Sequence, residues 1–327
     1  MIIDSHAHIL DPALDQMRSD IIDNMTSDNL LGICEVGFNL ESSHKATQLA
    51  HSQDNVFAII GTHPEDAAEW NDSVAEQYRS LAREKKVVAF GEIGLDYHYI
   101  GQMQEEDLTE QEELFARQEA NLSCQKSSAC QKKNLAQDKE NFERQKEMST
   151  PQSQKEALTL LKERLIDRQK DVFVRQIVLA DELGLPLVLH IRDAIGDCLD
   201  ILTAHKNLLN HGVLLHCFTG SAEMVARFCK LDCYFALGGV VTFKNAKKDD
   251  VIKAIPQDRL LVETDCPYMA PTPFRGQLNQ PKYSNLTMQK IADTLQMNVA
   301  ILEKIVLENT IRFFNLSRFD CIKKEIL

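Results

Sequence analysis

Short apolar runs recur along this chain, and several of them end on a side chain that can donate a lone pair. MIID leads to His6, VVAFG to Glu92, PLVL to His190, GVLL to His216 and RLLVET to Asp265. Runs of this length between polar segments read as buried strands. VFAII at 56–60, LGICEVGF near residue 32 and YFALGGVVTF near residue 234 bring the set to eight. Stretches with helical periodicity lie between them, such as DCLDILTAH from Asp197 and AEMVARFCKL from Ala222. Strands alternating with helices imply parallel pairing through right-handed crossovers. Eight such units predict a TIM (β/α)8 barrel, in which groups at the C-terminal strand ends meet at one mouth. On that fold His6, His8, Glu92, His190, His216 and Asp265 converge.

One segment breaks the rhythm. Between Glu92 and the helical stretch VFVRQIVLADELG lie about 80 largely polar residues, far beyond an ordinary βα loop. Leu108, Phe115, Leu122 and Ala129 recur every seven positions, as do Leu135 and Phe142, before Pro151 interrupts. Leu158, Leu161, Leu165 and Val172 then form a second pattern. The expectation is one barrel domain over 1–327, with 101–168 inserted after strand four as a helical hairpin or short coiled-coil arm. The alternative is a low-complexity insert without a packed structure. An arm at that place would rise beside the mouth, screen one side of it and offer a surface for a protein partner.

Composition adds a compartment and excludes some functions. The chain has 327 residues, of which 44% are hydrophobic, enough for a barrel of roughly 250 residues plus an insertion. No apolar stretch approaches the length of a membrane helix. MIIDSHAHIL lacks a basic n-region, and Asp4, His6 and His8 break its apolar run, so a secretory signal is not expected. Nine cysteines without a CxxC pair read as reduced thiols that pack as small hydrophobes. These features point to a cytoplasmic protein, with a nuclear location also open. The net charge of -13 lacks the basic footprint of a protein that wraps duplex DNA.

The candidate chemistry is metal-dependent. His6 and His8 sit two apart at the end of a strand and therefore share a face. Two neutral imidazoles on one face suit a divalent ion. A carboxylate such as Glu92 is the usual bridge between two cations about 3.5 to 4 Å apart. Asp265 could both bind a metal and accept a proton from water. For His190 or His216 alone, a satisfied core histidine is the simpler account; four histidines at strand ends of one register are harder to explain that way.

DSHAHIL, GTHPEDA, GEIGLDYHY, LPLVLHIRDA, LLHCFTGS, ALGGVVTFKNA, LLVETDCPYMAPTPFRGQLNQP and ENTIRFFNL occur here in order. Together they resemble the TatD family of metal-dependent nucleases, within the amidohydrolase-like barrels. The resemblance implies two divalent ions, Mg2+, Mn2+ or Zn2+, with His6, His8 and Asp265 on one, His190 and His216 on the other and Glu92 between them. Glu92 and Asp265 would be the catalytic carboxylates. His63, Arg192 and Arg275 in the same motifs could meet substrate phosphates, and Asp96 could orient water or a ligating histidine. The implied activity is a deoxyribonuclease, a 3′-5′ exonuclease on single-stranded DNA or strand ends. An amide or cyclic-amide hydrolase is the enzymatic alternative, and a barrel that recruits a partner through its inserted arm is the non-enzymatic one.

Overall fold

The computed structural model describes residues 1–104 and 151–326. Eight strands form one sheet: β1 (Ile2–Ala7), β2 (Leu30–Val36), β3 (Val56–Ile60), β4 (Val87–Asp96), β5 (Leu187–Arg192), β6 (Val213–Leu215), β7 (Tyr234–Leu237) and β8 (Leu260–Val262). Their spatial order is their chain order, and every neighbouring pair is parallel. The last seam, between β8 and β1, closes through individual bonds: Ser5 Oγ donates to Val262 O at 3.0 Å, the Asp265 amide to His6 O at 2.9 Å and the His8 amide to Cys266 O at 2.9 Å. The fold is the expected TIM barrel.

Strand residues divide between two cores. Ile3, Cys34, Phe57, Val88, Val188, Leu214, Ala236 and Leu261, one from each strand, pack together and continue into Phe314, Leu316, Phe319 and Ile322 of the C-terminal segment. Arg318 reaches Lys85 O and Val87 O, so this segment plugs the end where strands begin and leaves the opposite end as the mouth. Ile2, Ile33, Val56, Val87, Leu187, Val213, Phe235 and Leu260 face outward beneath the helices. This is the two-residue alternation of a strand buried on both faces.

The alternation is interrupted where the candidate chemistry begins. On β1, Asp4 pairs with Ile33 and Ala7 with Glu35, three steps against two. On β4, Phe90 pairs with Leu187 and Ile93 with Leu189, again three against two. One extra residue reverses which side chains face inward. His6 has the parity of outward-facing Ile2, and Glu92 that of outward-facing Phe90, yet both point into the mouth.

The helix Pro151–Leu183 is the principal support beside β4 and β5. Proline at its first position suits a helix start, where an amide donor would be unpaired anyway. Val172, Phe173, Ile177 and Ala180 bury its apolar stripe against the outer core. Most of the expected 101–168 arm lies outside the described residues. The described part of it from Leu161 to Arg168 rests on the barrel: Leu161 is buried, Lys162 Nζ donates to Gly101 O at 3.1 Å, and Arg168 Nε donates to Ala67 O at 3.2 Å. Among the described residues no helix is long and apolar enough to cross a membrane, and the seven described cysteines are free thiols.

Candidate metal centre

Ligand-type side chains from β1, β4 and β5 and from the residues that follow β1, β6 and β8 meet at the mouth. His6 Nε2 and His8 Nε2 lie 3.3 Å apart. Glu92 Oε2 is 3.5 Å from the first and 3.7 Å from the second; Asp265 Oδ1 is 3.8 Å and 3.5 Å from them. Ligands about 2.1 Å from a tetrahedral ion stand about 3.4 Å apart. These four atoms have that spacing, and most are too distant to be hydrogen-bonded to each other, so the set fits a divalent cation. His8 Nδ1 pairs with Val36 O at 3.1 Å, which leaves Nε2 as the free lone pair.

The other Glu92 oxygen serves a second group. Oε1 lies 2.8 Å from His190 Nδ1 and 2.7 Å from His216 Nε2, and these two nitrogens are 3.3 Å apart. His63 Nε2 lies 4.0 Å from the same oxygen, and its ring stands edge-on to His190 with centroids 4.3 Å apart. His6 and His216 stack at 4.0 Å, so the two groups adjoin. Their donors suit divalent metal; His63 belongs with this second set as closely as with a substrate.

Electrostatics follow from this crowding. Burial alone would raise the Glu92 carboxyl, but His216, His6 and the hydrogen bonds from His190 and His216 hold it well below the usual range. Burial also opposes charge on the imidazoles. Against it, Asp265 and Glu92 raise His8 to about 9, Asp96 and Glu92 raise His190, and Glu92 and Glu263 raise His216. At His6 and His63 the nearby carboxylates, Glu92 for both and Asp96 for His63, are outweighed. Burial, reinforced by neighbouring imidazoles, lowers both, His63 to about 3. Asp265 itself sits at φ 55, a left-handed conformation that aspartate tolerates better than most residues.

Asp96 reaches His190 Nε2 at 2.8 Å and thereby orients the ring. Arg192 and Arg275 are exposed, each over an aromatic ring: Arg192 above Tyr99 at 5.3 Å, Arg275 above Phe243 at 4.4 Å. Arg192 is the last residue of β5 and Arg275 lies on the segment after β8, both outside the buried cluster.

Other supporting residues escape sequence reading. Glu263, fully buried, accepts a bond from the Cys217 amide and lies 3.7 Å from His216 Nδ1. Glu35 accepts from the Ile9 and Leu10 amides at 2.7 and 3.2 Å, fixing the turn after His8; burial raises its carboxyl to about 7. Asp4 accepts from the His6 and Thr264 amides and from the Thr264 hydroxyl, tying β1 to the segment that carries Asp265; burial raises it to about 8. On the helix Pro151–Leu183, Gln176 pairs with both backbone groups of Thr62 at 2.9 and 3.0 Å, and Gln169 with both of Asp96 at 2.9 Å each. The available signal was the seven-residue spacing of two glutamines within an apolar helix face.

A family profile described as TatD related DNase matches residues 3–122 and 153–315, including much of 101–168. A metal-dependent hydrolase of Bacillus subtilis, uncharacterized by its name, is 33% identical over 97% of this chain and 100% of its own length. A protein of Pectobacterium parmentieri named 3′-5′ ssDNA/RNA exonuclease TatD is 27% identical over 97% of this chain and 100% of its own. The crystal structure of a TatD homolog from Escherichia coli superposes with a TM-score of 0.72 at 24% identity, covering 96% of this chain and 98% of that one, a likeness of fold. With the family profile and the B. subtilis relative both spanning nearly the whole barrel, the chain belongs to the TatD-related DNase family of metal-dependent hydrolases.

Proposed function

We propose that the protein hydrolyses phosphodiester bonds at the ends of single-stranded DNA, in the 3′-5′ direction, with two divalent ions held at the mouth. The single observation that carries this reading is the division of Glu92: Oε2 faces His6 and His8, Oε1 faces His190 and His216. His6, His8 and Asp265 would hold one ion and His190 and His216 the other, with Glu92 shared. Bound divalent ions supply Lewis acidity to a phosphoryl oxygen and acidify water. The chain's own groups supply the rest. Asp265 accepts the proton of the attacking water at a carboxylate oxygen. Arg192, with its planar fork, and Arg275 and His63 bind phosphate oxygens. Asp96 holds the His190 ring in place. Relatives named 3′-5′ ssDNA/RNA exonuclease support the substrate and polarity. In an amide hydrolase of related fold a modified lysine often bridges the ions, and Glu92 takes that place here.

The test joins metal content with activity. Glu92→Gln, shown to be folded by circular dichroism, should lose bound metal by elemental analysis and lose activity on a single-stranded oligodeoxynucleotide. Asp265→Asn should lower kcat about 100- to 10,000-fold, the range for removing a general base. Wild-type turnover by either folded variant would refute the reading.

A further inference from the structure

We propose that Phe38 and Tyr268 form a stacking platform for the terminal bases of a single-stranded nucleic acid, an inference that rests on the nuclease reading above. Both rings contact the same ligand-type histidine. The Phe38 ring lies edge-on to His8 with centroids 6.2 Å apart and planes at 64°; the Tyr268 ring does so at 6.4 Å and 69°. Both are nevertheless open to solvent, Phe38 at 43% and Tyr268 at 53%. Large apolar side chains left open beside a buried polar centre are the informative exception to burial.

Their exposure does not come from a loose backbone. The Phe38 amide donates to Ser42 Oγ at 2.9 Å, and its carbonyl accepts from the His63 amide at 2.7 Å. The Tyr268 amide donates to Asp265 O at 2.9 Å, its carbonyl accepts from Asn279 Nδ2 at 2.7 Å, and its hydroxyl donates to Asp11 Oδ2 at 2.9 Å. Each ring is thus carried on a backbone bonded directly to a residue of the metal centre, His63 for one and Asp265 for the other. A base seated there forfeits little entropy in ordering its platform.

Charge identifies the occupant. A chain of net charge -13 gains little from general attraction to phosphates, so uncharged contacts must add to what the mouth itself offers a phosphate. Base stacking on aromatic rings is the contact that single-strand binders use, and it tolerates any sequence because every base has a π-face. An interior base pair keeps both faces stacked, and a terminal pair has one face open but is held to its complement, whereas an unpaired terminal base can turn onto the rings. The platform therefore selects unpaired ends.

The metal-loaded full-length protein is assayed on two substrates: a short single-stranded oligodeoxynucleotide, and its twin with abasic residues at both ends. Wild type should prefer the base-bearing substrate in kcat/KM by at least about five-fold, the lower bound for one stacked base. Phe38→Ala and Tyr268→Ala should bring that ratio towards one; Phe38→Tyr and Tyr268→Phe, which keep a ring, should restore it. A wild-type ratio near one, or alanine variants that slow both substrates alike, would overturn the platform while leaving the nuclease reading intact. If neither oligonucleotide is cut while bis(p-nitrophenyl) phosphate is, the nuclease reading fails and the platform with it.

Discussion

Glu263 shows how much of a metal centre lies beneath its ligands. Its carboxylate is fully buried, bonded to the Cys217 amide and 3.7 Å from His216 Nδ1, which has no hydrogen-bond partner among the described residues. A negative charge there makes His216 a better lone-pair donor through its other nitrogen. Glu263→Ala should weaken metal binding about 10- to 100-fold, as for other residues that back a ligand. Glu263→Gln should fall between, since it keeps an acceptor for the Cys217 amide and loses the charge. Competition with a chromophoric chelator reads both, and unchanged affinity in the alanine variant would show that Glu263 acts on the loop alone. The six principal candidate ligands were legible because each is a histidine or acid at the end of an apolar run. Glu263, Glu35 and Asp4 were not. Their partners are backbone amides or a hydroxyl brought from another part of the barrel, and nothing in their own residue type announces that.

At the scale of elements, the helix Pro151–Leu183 acts as a brace. Gln169 and Gln176 each replace a missing sheet partner, giving a donor and an acceptor to Asp96 and to Thr62, the residue before His63. Each backbone pair is buried, so removing the amide leaves two polar groups unsatisfied. Gln176→Leu and Gln169→Leu should each cost about 2 kcal/mol or more, measured by urea unfolding. Gln169→Leu should also lower activity, since Asp96 orients His190; a stability loss without change in kcat would confine the brace to folding. The strands themselves were readable from hydrophobic runs, and the barrel from their number and alternation. The irregular pairing in β1 and β4 was not, because an extra residue inside a buried strand leaves the apolar pattern unchanged while reversing its facing. The spacing of His6 and His8 correctly placed both on one face, but only the three-dimensional pairing shows that this face is the inner one.

For the whole molecule, pH and metal are linked. His8 is raised from 6.5 to about 9, so without metal it carries a proton at neutral pH; His190 and His216 are shifted in the same direction. A raised histidine stabilises the metal-free fold fully below its unfolded pKa of 6.5, and that contribution is lost as pH rises through about 9. An ion needs the same nitrogens deprotonated, so metal binding strengthens over the same interval and releases protons. The metal-induced rise in Tm should therefore grow from pH 6.5 to 9, as read by thermal unfolding with and without excess Mn2+. A constant or shrinking rise would mean that the imidazoles are already neutral in the metal-free protein.

The seam between β8 and β1 gives this arrangement a direction in time. His6 and His8 are made before Asp265, which comes 259 positions after His6, by subtraction of their numbers. Only when the Asp265 amide bonds to His6 O and the His8 amide to Cys266 O do the first and last ligands share a space. A ribosome-bound chain, or one cut short before the last strand, carries five of the six candidate ligands and still lacks Asp265, the proton acceptor proposed above. Such a fragment lacks one carboxylate of the mouth, so the complete candidate site exists only where the segment after β8 meets β1.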